Sequence, residues 1–185
     1  MGEQSGTHLG RGIVAGIAGG LVASWIMNVF MESAGPKITQ AVESMNGDNR
    51  AQSRDQQDQS AQDQEPKEDA TMKAADALVA TVTGGQHLSF EEKQKGGPVV
   101  HYAFGALMGG VYGALAEYSP AARTGFGTGF GTALFTGADL VALPALHLSG
   151  ASADAPVSTL ATPFAAHLVY GAITEGVRRL VRAML

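Results

Sequence analysis

Apolar and polar positions in this chain are segregated into blocks. Gly12–Met31 contains no Asp, Glu, Lys, Arg or His, and Pro98–Ala116 contains His101 alone of these types. Gly125–Leu146 contains only Asp139, and Val157–Thr174 only His167. A bilayer core is crossed by about 20 apolar residues of helix. A helix on a soluble bundle keeps a charged stripe toward water, and these four stretches have none. The pattern predicts an all-α polytopic membrane protein with four transmembrane helices. The first stretch is longer than the roughly 7–15 residue core of a signal peptide, and only Arg11 and His8 precede it as basic groups, so it reads as an uncleaved span.

The spans divide the chain into a tail and first helix (1–33), a polar insertion (34–96), and three further spans with a tail (97–185). Within the insertion, Asn46–Asp69 has no aromatic or branched apolar residue and cannot bury enough surface to offset chain entropy, so it is expected to be disordered. Apolar spacing returns at Met72, Ala75, Leu78, Val79 and Val82, predicting an amphipathic helix over Ala70–Thr83 that ends at Gly84-Gly85. Ser89 and Glu92 have capping-box spacing, so a helix starts there and leads into the second span.

The second and fourth spans share His-x-x-aromatic-Gly-Ala, from His101 and from His167, each followed by Gly-Val at the same offset. Gly12, Gly16 and Gly20 in the first span match Gly125, Gly129 and Ala133 in the third. This suggests two repeated helical hairpins, the first interrupted by the insertion. Gly12, Gly16, Gly20, Gly105, Gly109, Gly113, Gly125 and Gly129 recur every four residues and predict strips where helix backbones approach closely. Such strips would serve internal packing or a homo-oligomer.

Average composition conceals this organisation. The 185 residues are 45% hydrophobic and 16% charged, and mean hydropathy is only +0.05. Residues 34–96 carry 18 of the 29 Asp, Glu, Lys and Arg, so the polar insertion cancels the apolar spans arithmetically. The absence of Cys excludes disulfide scaffolds and thiolate metal sites. A net charge of −5 with scattered basic residues gives no support for nucleic-acid binding. Arg11, Arg123, Arg178, Arg179 and Arg182 fall on one side of the predicted spans, while the loop His147–Pro156 has no Lys or Arg. Both termini are therefore expected in the cytoplasm, with the insertion facing outward.

Polar groups inside spans are costly and are functional candidates by default. The helical rise places Asp139, His101 and Asn28 at a shared level, roughly 21–24 Å from the cytoplasmic ends. With His167 they form a candidate intramembrane cluster. Three roles stand open: a structural hydrogen-bonded cluster, proton or ion handling, or ligation of a haem or metal by two His and a carboxylate in an electron-transfer subunit. Glu117, Glu175, Arg178 and Arg179 form a second polar level at the cytoplasmic interface, where Glu175 and Arg179 have i, i+4 spacing. His8, His87 and His147 read as surface or tail residues. No phosphate loop, H-E-x-x-H or G-x-S-x-G motif occurs, and the reading is non-enzymatic, with no cofactor required and the lipid bilayer as the partner.

From His101 to Arg179 the chain resembles the YagU-like family of bacterial inner-membrane proteins, a domain of unknown function. The resemblance rests on Val100-His-Tyr-Ala-Phe-Gly105, Tyr112-Gly-Ala-Leu-Ala-Glu117 with Pro120, Gly137-Ala-Asp139 with Pro144, and His167-Leu-Val-Tyr-Gly171 running into Thr174-Glu175 and Arg178-Arg179. It implies an inner-membrane location and multi-pass topology, and brings no activity, substrate or cofactor.

Overall fold

The computed structural model describes residues 2–45, 68–148 and 157–185. Among these residues the protein is all-helical. Helix α1 (Gly2–Met45) is roughly 66 Å long and continues beyond the predicted span through Pro36. Helix α2 (Ala70–Thr83) and helix α3 (Phe90–Tyr118) follow, then a 3-10 segment (Pro120–Gly127). The third apolar stretch comprises α4 (Thr128–Leu134), a π-helical segment (Phe135–Ala142) and a last turn, α5 (Leu143–Ala145). Helix α6 (Val157–Met184) completes the fold. The expected disorder of Asn46–Asp69 concerns, apart from Glu68 and Asp69, residues outside those described.

Three helical stretches are long and apolar enough to cross a membrane: His8–Val42, Phe90–Tyr118 and Pro120–Ala145. Large apolar side chains including Trp25, Leu107, Leu115 and Val141 are exposed on their outer faces, while small residues such as Ala15, Ala23 and Ala166 are fully buried. Lipid offers no hydrophobic drive between helices, so close approach of backbones takes its place. A Cβ on Gly16 would strike the Gly109 carbonyl, and one on Gly109 would strike the Gly16 carbonyl. Gly12 faces Gly113 in the same way, and Gly20 faces Gly105, so all six glycines expected along α1 and α3 lie at this contact. The other side of α1 meets α6, where Gly19 lies against the Thr174 carbonyl. Toward the far end of α1, Thr162 Oγ1 donates to the Gly35 carbonyl at 3.3 Å.

The third stretch departs from the expected glycine register. Gly125 and Gly129 do not face a neighbouring helix: a Cβ on Gly125 would meet only the Thr128 side chain, and one on Gly129 only the Thr124 carbonyl at 3.5 Å. Gly127 and Gly131 make the close contact, against the backbone of Gly171 and of His167. The cause is a left-handed turn at Gly125 (φ 61°), Phe126 (φ 56°) and Gly127 (φ 85°). Regular helix begins only at Thr128, so a phase counted from Gly125 selects the wrong face.

Outside the spans, α2 and the start of α3 follow their local signals. Asp69 caps α2, accepting from Met72 N–H at 2.8 Å, and Gly84 closes it in the left-handed conformation. Ser89 and Glu92 form the reciprocal capping box. Met72 and Ala75 are buried against Gly97 and Gly96 at the head of α3.

Candidate functional site

Helix α6 carries Glu175, Arg178, Arg179 and Arg182 at offsets of three, four and seven, which gathers them on one face. Glu175 is 0% exposed and accepts from four donors. Its Oε2 accepts from Tyr112 Oη at 2.9 Å and Arg178 Nε at 2.7 Å. Its Oε1 accepts from Arg179 Nε at 2.6 Å and Arg178 Nη2 at 3.2 Å. A carboxylate this deeply buried is tolerable only when its oxygens are satisfied in this way.

The network continues from α6 to the last turn of α3 and to the start of α1. Arg182 Nε donates to Glu117 Oε1 at 2.9 Å, and Arg178 Nη1 lies 3.6 Å from the same oxygen. Arg182 Nη2 donates to His8 Nδ1 at 3.0 Å, which ties the beginning of α1 to this end of the bundle. Arg179 stacks over Phe126 with its guanidinium carbon 4.7 Å from the ring centroid. All four residues expected at this level meet here. Tyr112, Phe126, Arg182 and His8 join them without being assigned to this cluster from the sequence, although Arg182 falls on the same side of the predicted spans and is spaced i, i+7 from Glu175.

The expected intramembrane cluster is brought together only in part. His167 Nε2 lies 3.2 Å from Asp139 Oδ2, with the side chains 10% and 25% exposed. Asp139 sits within the π-helical segment, a conformation enriched at functional sites. Pro144 follows closely; it supplies no N–H and its ring crowds the carbonyl four residues back, so an ordinary α-helical ladder cannot pass through this region unaltered. His167 Nδ1 bonds the Pro163 carbonyl at 2.9 Å, and Phe135 lies against the imidazole with ring centroids 5.6 Å apart.

This geometry constrains the protons. Nδ1 must carry hydrogen to bond a carbonyl. The remaining contact joins a nitrogen and a carboxyl oxygen, and is favourable only when one of them holds a proton. A proton shared by the pair would sit on Nε2 or on the carboxyl, giving imidazolium with carboxylate or imidazole with carboxylic acid. Nδ1 of His167 is thus committed to the Pro163 carbonyl, and Nε2 faces the Asp139 carboxyl. His101 Nε2 is buried without a hydrogen-bond partner, and Asn28 is half-buried without a bond to the pair. Among the described residues no group of three or more His, Asp or Glu is placed to hold a metal ion.

Two tyrosines connect α3 with α6. Tyr170 Oη donates to the Gly105 carbonyl at 2.6 Å, complementing the Tyr112–Glu175 bond. Between them, the Ser24 and Thr174 hydroxyls are buried without hydrogen-bond partners.

A family model described as "Protein of unknown function (DUF1440)" matches residues 61–176, more than half of the chain, and the chain belongs to that family. No curated protein and no solved structure matches it.

Proposed function

We propose that this DUF1440 protein is a non-enzymatic, four-span membrane protein in which Asp139 and His167 hold a transferable proton within the bilayer. The observation that carries this reading is the 3.2 Å Asp139–His167 contact on a π-helical segment, with His167 Nδ1 already committed to Pro163. A buried acid and an imidazole in contact form a relay element of the kind found in membrane proton paths.

Several features support the finer topology. Helix α6 packs along α1 and bears no charge before Glu175, which suits a fourth span despite its more polar composition. Two hairpins are supported by the matching environments of Gly105, against Gly20 and Ser24, and Gly171, against Gly127 and Gly131. This pairs Gly20 with Gly127 and replaces the Gly12–Gly125 match. The arginines at the His8–Arg182 end favour a cytoplasmic location for that end, with residues 34–96 facing outward. The YagU-like motifs favour a bacterial inner membrane.

Reconstituted protein should show a pH-gradient-driven proton flux, reduced at least tenfold in Asp139→Asn. An unchanged flux in that variant, or none in the wild type, overturns the proton reading and leaves the pair a structural element.

A further inference from the structure

A second site lies near the arginine-bearing end. Leu115 on α3, Ala121 and Ala122 in the 3-10 segment, and Gly129 and Phe130 on α4 line a groove of about 330 Å³. That volume falls at the lower end of the roughly 300–1,000 Å³ range of small-ligand sites, and no lining residue is charged. Arg123 follows Ala122 directly and is exposed.

The side chains described at this end are unbalanced. Five arginines, Arg11, Arg123, Arg178, Arg179 and Arg182, stand there against two glutamates, Glu117 and Glu175. Both carboxylates are taken by Arg178, Arg179 and Arg182. Arg11 and Arg123 are exposed and make no ion pair among the described residues. An apolar groove beside an unmatched guanidinium, at the level where α3 and α4 reach the membrane boundary, suits a molecule with an apolar chain and an anionic head.

We propose that the groove seats an acyl chain of an anionic phospholipid whose phosphate is held by Arg123. The proposal rests on the membrane-spanning reading but not on the proton reading. A guanidinium binds a phosphate through paired N–H donors, and basic residues at a bilayer surface each contribute appreciably to the binding of anionic lipid. A lipid with no phosphate, such as a diacylglycerol, would fill the groove and leave Arg123 unmatched.

Two variants separate the parts of the site. Arg123→Gln removes the head contact. Gly129→Leu fills the groove with little backbone disturbance, because a Cβ there meets only the Thr124 carbonyl at ordinary contact distance. The full chain is taken into detergent micelles and mixed with phosphatidylglycerol or a diacylglycerol of matched chains, and retained lipid is read by native mass spectrometry.

The wild type should retain phosphatidylglycerol in excess. Arg123→Gln should lower that retention about fivefold and leave diacylglycerol unchanged. Gly129→Leu should lower retention of both lipids, and glycerol 3-phosphate should not compete. Equal retention of the two lipids by the wild type, an unchanged result in either variant, or displacement by glycerol 3-phosphate overturns the proposal. Protein that stays dispersed without detergent would count separately against the membrane reading.

Discussion

Tyr112 and Glu175, 63 residues apart, form a fully buried hydrogen bond of 2.9 Å that joins α3 to α6 across α1. Both side chains are 0% exposed, so neither can exchange its partner for water. Removing the hydroxyl in Tyr112→Phe leaves Glu175 with its two arginines and should cost about 1.5–3 kcal/mol, the range for a bond to a charged group. Glu175→Gln keeps one accepting oxygen but leaves buried Arg178 with the 3.6 Å contact to Glu117 as its remaining ion pair, and should cost about 3–5 kcal/mol. Thermal unfolding in detergent tests the order, and the double variant should lose less than the sum because the two changes share one bond.

How far this arrangement is legible in sequence depends on whether helical phase is continuous. The α1–α3 glycine strip is readable because both helices run unbroken through it. Counting from Gly125 fails because Gly125, Phe126 and Gly127 turn left-handed and reset the phase to Gly127 and Gly131. The similar motifs around His101 and His167 suggest that the two rings meet. Instead, His167 contacts Asp139 and the Pro163 carbonyl, while His101 Nε2 is buried with no hydrogen-bond partner. The i, i+4 rule finds Glu175–Arg179, but no local rule can find Tyr112 as the partner of Glu175.

Glycine substitutions should separate contact from exposure. Gly16→Ala drives a methyl into the Gly109 carbonyl and should cost at least about 1–3 kcal/mol, the range for overpacking. Gly137→Ala meets nothing within 4 Å and should be neutral or slightly stabilising. Equal effects on the unfolding temperature would contradict the assigned helix contact.

Outside the spans, the link between α2 and α3 should loosen in acid. A hydrogen bond from His87, then one from the Leu88 N–H, holds the Asp76 carboxyl below its ordinary value of 3.8. Because the folded value is the lower one, the stabilisation is complete above the unfolded value and is lost as pH falls through the folded value. Amide exchange at Gly84–Leu88, corrected for its intrinsic pH dependence, should therefore gain an acid-induced opening below about pH 4. Asp76→Asn should remove that transition.

Phe126 offers a test of backbone strain against side-chain contact. Its φ of 56° costs about 1–2 kcal/mol for an L side chain, and its ring supports Arg179 through a contact of about 0.5–1 kcal/mol. Phe126→Leu keeps the strain and loses the stacking, so it should destabilise by about 0.5–1 kcal/mol. Phe126→Gly loses the stacking but also removes the strain, so its unfolding temperature should match or exceed that of the wild type. A glycine variant less stable than the leucine variant would show that apolar side-chain packing, rather than relief of the left-handed turn, governs this position.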